Sequence, residues 1–210
     1  NSGIVLTTGS VDCVPGPNNN GACSVVRGGN FDRTTLSFDF SSDTGDVFFR
    51  YVFGSEEFTQ FAPSSFNDAF ELLLNGTNIA LLPSTTSATS VVEINNVNCL
   101  TNSAFYRNNT PASFGEANNP AGCTFLNLDI QYDGLTTVLT ASGKVVAGTD
   151  NSFSFTVFDR GDNQLDSGVF IEAGSFSGTD PDNPVPEPAS LALAGLALAG
   201  LGAMRRRRKA

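Results

Sequence analysis

The stretch Asp46-Val47-Phe48-Phe49-Arg50-Tyr51-Val52-Phe53-Gly54 sets the period of this chain. Val47, Phe49, Tyr51 and Phe53 recur at every second position. Successive strand side chains point to opposite faces, so this spacing puts all four on one face. The same period runs upstream through Leu36, Phe38 and Phe40. Downstream it recurs in Leu126, Leu128, Ile130 and Tyr132, and in Phe153, Phe155 and Val157. AFELLLN, NIALL, SVVEINNV, TTVLTA, KVV and GVFIEA supply further short apolar runs. Asn, Gly and Asp separate them, and Asn75-Gly76 is a tight-turn signal. No stretch of the body carries a long 3.6-residue period. The expected fold is all-β: an antiparallel, jelly-roll-like β-sandwich of about eight to ten strands. Residues 101–122 read as a long loop.

The 210 residues hold 21 Asp+Glu, 11 Lys+Arg and no His, a formal net charge of −10. This balance argues against nucleic acid as a partner, since phosphate backbones are bound by clustered Lys and Arg. Without His the usual general base, the Ser-His and Cys-His nucleophile pairs and the commonest zinc ligand are gone. The cations are also concentrated. Arg205, Arg206, Arg207, Arg208 and Lys209 supply five, so residues 1–204 carry six bases against 21 acids, a net of −15. The single Met is Met204 and the chain opens at Asn1, a start expected of a mature or partial form.

Four cysteines allow three disulfide pairings. Cys13–Cys23 and Cys99–Cys123 are the expected bridges, because each closes a polar Gly/Asn/Pro-rich loop with few apolar anchors. The alternative is four free thiols. Export to an oxidising compartment favours bridges.

The C-terminus divides into three. Residues 177–184 lie in a polar linker, and Val185-Pro186-Glu187-Pro188 follows. Residues 189–204 are uncharged and apolar, and the basic tail 205–209 begins at once. Sixteen such residues as a helix span roughly 24 Å against a hydrocarbon core of ~30 Å, a gap that snorkelling arginines close. A single transmembrane helix is expected, with its basic end cytoplasmic and the acidic body outside.

Three segments place oxygen ligands on loops at strand ends: Ser55-Glu56-Glu57-Phe58, Phe66-Asn67-Asp68 and Asp159-Arg160-Gly161-Asp162-Asn163-Gln164-Leu165-Asp166. Glu56, Asp68, Asp159, Asp162 and Asp166 form a candidate Ca²⁺ site, since hard cations take six to eight oxygens. The spacing differs from the EF-hand loop, and Asp and Asn are also ordinary turn residues. The residues therefore leave two readings open, a cation site and turn-capping carboxylates. Glu56-Glu57 also raises a two-carboxylate glycoside hydrolase, but neighbours on an extended chain diverge, so Asp68 is the needed partner. No catalytic residues are assigned.

Two family resemblances emerge from these motifs. The tail VPEPASLALAGLALAGLGAMRRRRKA resembles a PEP-CTERM sorting signal over 185–210, carried by Pro186, Glu187, Pro188 and Arg205, Arg206, Arg207 and Arg208. That resemblance implies export and processing near the Pro-Glu-Pro by an exosortase, a membrane-embedded transpeptidase. Residues 1–176 resemble the choice-of-anchor L domain. The carrying segments are YVFGSEEF, SSFNDAFELLLNGTNIAL, INNVN, YDGLTTVLTAS and FTVFDRGDNQLDSGVFIEAGSF. The family motif falls on Ser55, Glu56, Glu57, Phe66, Asn67, Asp68, Tyr132, Asp133, Gly134, Asp159, Asp162 and Asp166. Phe58 stands where the family more often has Tyr.

The resemblances imply a non-enzymatic exported protein, an exosortase substrate. The inner membrane would hold it transiently by its C-terminal helix before it reaches the cell surface or extracellular matrix. Its expected role is adhesion or association with extracellular polysaccharide or biofilm. The alternative is a Ca²⁺-dependent carbohydrate-binding module.

Overall fold

The computed structural model describes residues 2–19, 31–83, 90–111 and 123–183. Residues Asn1–Gly178 form one compact unit and Thr179–Ala210 a second. Eleven strands lie among the described residues: β1 (Gly3–Thr7), β2 (Arg33–Ser41), β3 (Asp46–Ser55), β4 (Ala69–Leu74), β5 (Thr77–Asn78), β6 (Val92–Glu93), β7 (Tyr106–Asn108), β8 (Gly134–Thr136), β9 (Leu139–Lys144), β10 (Asp150–Phe158) and β11 (Ser167–Glu172). Two short 3₁₀ turns, Val11–Cys13 and Ser103–Phe105, complete the regular structure.

The strands form two antiparallel sheets. One runs β1-β11-β3-β8-β7, with β9 also paired to β3. The other runs β2-β10-β4-β5, with β6 also paired to β4. The two-residue period explains the join between them. Val47, Phe49, Tyr51 and Phe53 of β3 are all buried, as are Phe153, Phe155 and Val157 of β10. Their rings interlock across the sheets: Phe49 lies 4.8 Å from Phe153 and 5.2 Å from Phe155, both edge to face. Tyr51 meets Phe70 of β4 at 5.0 Å. Each sheet thus hides one face in a shared core.

Two local expectations are corrected. Residues 126–132 are not a strand. Asn127 has φ 51°, a left-handed step that breaks the alternation, and only isolated bridges form, Phe125 with Asn108 and Ile130 with Pro15. The backbone there is held by a side chain instead: Asn109 accepts the Leu128 N–H at 2.6 Å and donates to the Ile130 carbonyl at 2.9 Å. Conversely, residues 101–122 are not wholly loop, because β7 lies inside them and pairs with β8. β1, which carries no period in the sequence, joins the edge of the first sheet beside β11.

Cys99 and Cys123 form a disulfide with Cα atoms 5.7 Å apart. Cys13 is disulfide-bonded too, while Cys23, its expected partner, lies outside the described residues. The expected transmembrane helix 189–204 and the sorting-signal residues also lie outside them. Among the described residues, no helix is long and apolar enough to cross a membrane.

A buried carboxylate cluster as candidate functional site

Antiparallel pairing brings many strand ends to one end of the unit. In the first sheet Ser55, the last residue of β3, pairs with Ser167, the first of β11, and with Gly134, the first of β8. Thr7, the last of β1, pairs with Gly168. In the second sheet Phe158, the last of β10, pairs with Arg33 and Ala69, the first residues of β2 and β4. The residue beyond each of these ends is repeatedly acidic. Glu56 and Glu57 follow β3, and Asp159 follows β10. Asp32, Asp68, Asp133 and Asp166 precede β2, β4, β8 and β11.

All seven acids are buried. The chain segments from β3 to β4 and from β10 to β11 cross between the sheets here, and hydrogen bonds stitch them together. Glu56 N–H donates to the Asp166 carbonyl at 3.1 Å, and Asn67 N–H to the Arg160 carbonyl at 3.0 Å. Asp68 sits at their junction. Its Oδ1 accepts the Arg160 N–H at 3.0 Å, and its Oδ2 accepts the Ser167 hydroxyl at 2.6 Å. Glu57 hydrogen-bonds the same carboxyl.

The other acids have poorer company. Glu56 is 2 % exposed and neither carboxyl oxygen has a hydrogen-bond partner. Asp133 and Asp166, both of its own sign, act on it. Asp159 is equally buried, and neither oxygen meets a donor in good geometry. The Thr8 hydroxyl stands beside it but is also directed at the Ser167 carbonyl, at 3.4 Å. Asp133 accepts the Asn18 amide at 2.7 Å. Asp166 packs so closely on Gly9 that a Cβ there would overlap its carboxylate.

The described basic side chains are occupied elsewhere. Arg50 pairs with Glu172, Lys144 with Asp46, and Arg160 with Glu93. Arg33 lies over the Phe158 ring and Arg107 is exposed. Among the described residues no cation therefore offsets the effect of burial. Burial pushes Glu56 up to about 9, with Asp133 and Asp166 adding to the effect. It pushes Asp159 up to about 8, with Asp68, Asp166 and Asp32 as neighbouring acids. Glu57 and Asp68 are raised for the same first cause.

The sequence-predicted residues are thus distributed as follows. Glu56, Asp68, Asp159 and Asp166 all reach the cluster. Asp162 is on the same connection but is half-buried, and its Oδ1 caps a turn by accepting the Gln164 N–H at 3.0 Å. Ser55 accepts the Glu57 N–H at 3.0 Å, and Asn67 accepts the Asn95 N–H at 3.0 Å. Tyr132 hydrogen-bonds Thr7 at 3.0 Å and packs against Gly54 and Gly168. Asp32, Thr8 and Gly9 were missed by sequence reasoning, which saw no motif around them.

A hydrolase needs a carboxylate pair open to substrate. Glu56 and Asp68 are both buried, so the pair proposed for glycoside hydrolysis does not face a cleft. The groove of about 450 Å³ over β1, β11 and β3 is lined by other residues, among them Ile4, Val138 and Phe170.

No curated protein and no solved structure matches this chain. Residues 184–208 match the PEP-CTERM protein-sorting motif, the mark of an exported chain sorted by an exosortase. Residues 1–177, which include every strand and every acid of the cluster, match the choice-of-anchor L domain. The chain belongs to the choice-of-anchor L domain family.

Proposed function

We propose that this protein is a non-enzymatic component of the bacterial surface or extracellular matrix, with a role in adhesion or in holding extracellular polysaccharide. The observation that carries this reading is the order of parts. An all-β domain, matched over 1–177, is followed within a few residues by a sorting motif at 184–208. The apolar run 189–204 holds the chain in the inner membrane until an exosortase cuts near Pro186-Glu187-Pro188. The acidic domain, stapled by the Cys99–Cys123 bridge, suits the oxidising exterior.

Removing residues 185–210 tests the proposal. The truncated protein is expected to leave the envelope fraction for the medium or periplasm, and cells making only that form should retain less polysaccharide. Identical fractionation of both forms would refute the anchoring half. Unchanged polysaccharide retention would refute the matrix role.

A further inference from the structure

We propose that β2 pairs antiparallel with the β2 of a second copy of this chain, in a register centred on Leu36, and so joins the second sheets of two molecules into one.

β2 stands at the end of its sheet. Among the described residues it pairs with β10 alone, and no printed backbone hydrogen bond reaches its other side. An open strand edge is a template for another strand, and proteins commonly blunt it with short length, Pro, Lys or a bulge. β2 has none of these. It spans nine residues without Pro, Gly or Lys, and its register with β10 is unbroken from Arg33 to Ser41. The strands at the other sheet ends are shorter: five residues in β1, three in β7 and two in β5.

The pairing with β10 fixes which backbone groups face outward. One step beyond the Arg33–Phe158 pair, the Asp159 N–H donates to the Asp32 carbonyl at 3.0 Å. Hydrogen-bonded pairs alternate along an antiparallel ladder. Thr34, Leu36, Phe38 and Phe40 therefore bond β10, and Arg33, Thr35, Ser37, Asp39 and Ser41 aim N–H and C=O at the open side. The side chains divide in the same way. Phe38 meets Phe153 and Phe155 on the core side, whereas Thr35 and Ser37 bond Thr156 and Ser154 on the outer face.

A second copy matches this pattern only when odd-numbered residues stand opposite odd-numbered ones, which also keeps core-side residues opposite one another. Within β2, the register centred on Leu36 is the one that sets Arg33 opposite Asp39. Both are exposed, and neither has an ion pair among the described residues. Arg33 lies over the Phe158 ring on the outer face, which Asp39 shares. Twofold symmetry makes the ion pair twice, and opposite charges facing across strands favour the register. Thr34 then stands opposite the second copy's Phe38. That ring is 37 % exposed in the single chain, and the added strand covers it.

Sedimentation equilibrium of the full chain in mild detergent, from about 1 to 100 µM, tests the pairing; the ladder is a small interface, so half-dissociation is expected on the order of 10 µM. Arg33→Asp and Asp39→Arg should each weaken self-association at least about tenfold, because each sets like charges face to face. The double exchange, Arg33→Asp with Asp39→Arg, should restore it. Leu36→Cys reads the register separately. Non-bonded antiparallel pairs bring Cα atoms to about 4.5 Å, within disulfide reach, so mild oxidation should join two chains. Ser41→Cys, far from the twofold axis, should not be joined. A chain that stays monomeric at the highest concentration would overturn the proposal and leave the edge to a strand of another protein. So would a dimer that neither reversal weakens, that the double exchange fails to restore, or that Ser41→Cys joins as readily as Leu36→Cys.

Discussion

Asp68 lies where the β3–β4 and β10–β11 connections meet, and its two oxygens hold both. Asp68→Ala removes the acceptor of the Ser167 hydroxyl and of the Arg160 N–H. Such a loss should destabilise the domain by about 2–4 kcal/mol, seen as a lower urea midpoint with an unchanged slope. Gly168 sets a second single-residue constraint. A Cβ there would overlap the Tyr132 hydroxyl, so Gly168→Ala should cost about 1–3 kcal/mol and break the Thr7–Tyr132 hydrogen bond. The acids also dictate a pH response. Burial pushes Glu56 up to about 9 and Asp159 up to about 8, well above ordinary carboxylates. Between pH 4.5 and 9 the folded chain then holds more protons than the unfolded one, so stability falls as pH rises. Melting from pH 5 to 9 should show Tm decreasing.

Period two made β2, β3 and β10 legible in the sequence, because each sets apolar side chains at every second position, and β11 was legible only as a short apolar run. That period misled at residues 126–132, where a single left-handed Asn127 undoes the alternation without disturbing the residue pattern. β1 gave little signal, since Ile4, Val5 and Leu6 are consecutive and show no period. Its place is set by β11, with which it pairs over all five residues. The acids were legible as loop carboxylates. Their meeting was not, because it depends on which strand ends coincide, and pairings such as Phe158 with both Arg33 and Ala69 link residues far apart in sequence. At this scale β10 matters most. It pairs with β2 and β4, and Phe155 meets Phe49 of the opposite sheet. Phe155→Ala should therefore cost about 3–5 kcal/mol, measurable by denaturant unfolding.

In the domain as a whole, the disulfide and the strand ends work against the same entropy. The Cys99–Cys123 bridge closes a loop with a sequence separation of 24. Reduction, or Cys99→Ser with Cys123→Ser, should lower stability by on the order of 3 kcal/mol, read as a lower Tm. The last stretch of the unit has a mechanical consequence. Past Glu172 the chain continues beside β3, where Ser177 exchanges two backbone hydrogen bonds with Phe48. β11 itself is flanked on both sides, by β1 and β3. The hydrogen bonds of antiparallel strands run across the strand direction. Traction applied along the strand direction thus loads these rungs in parallel, as shear, instead of peeling them one by one. A protein drawn on from its C-terminal side would resist unravelling at the point where the force enters.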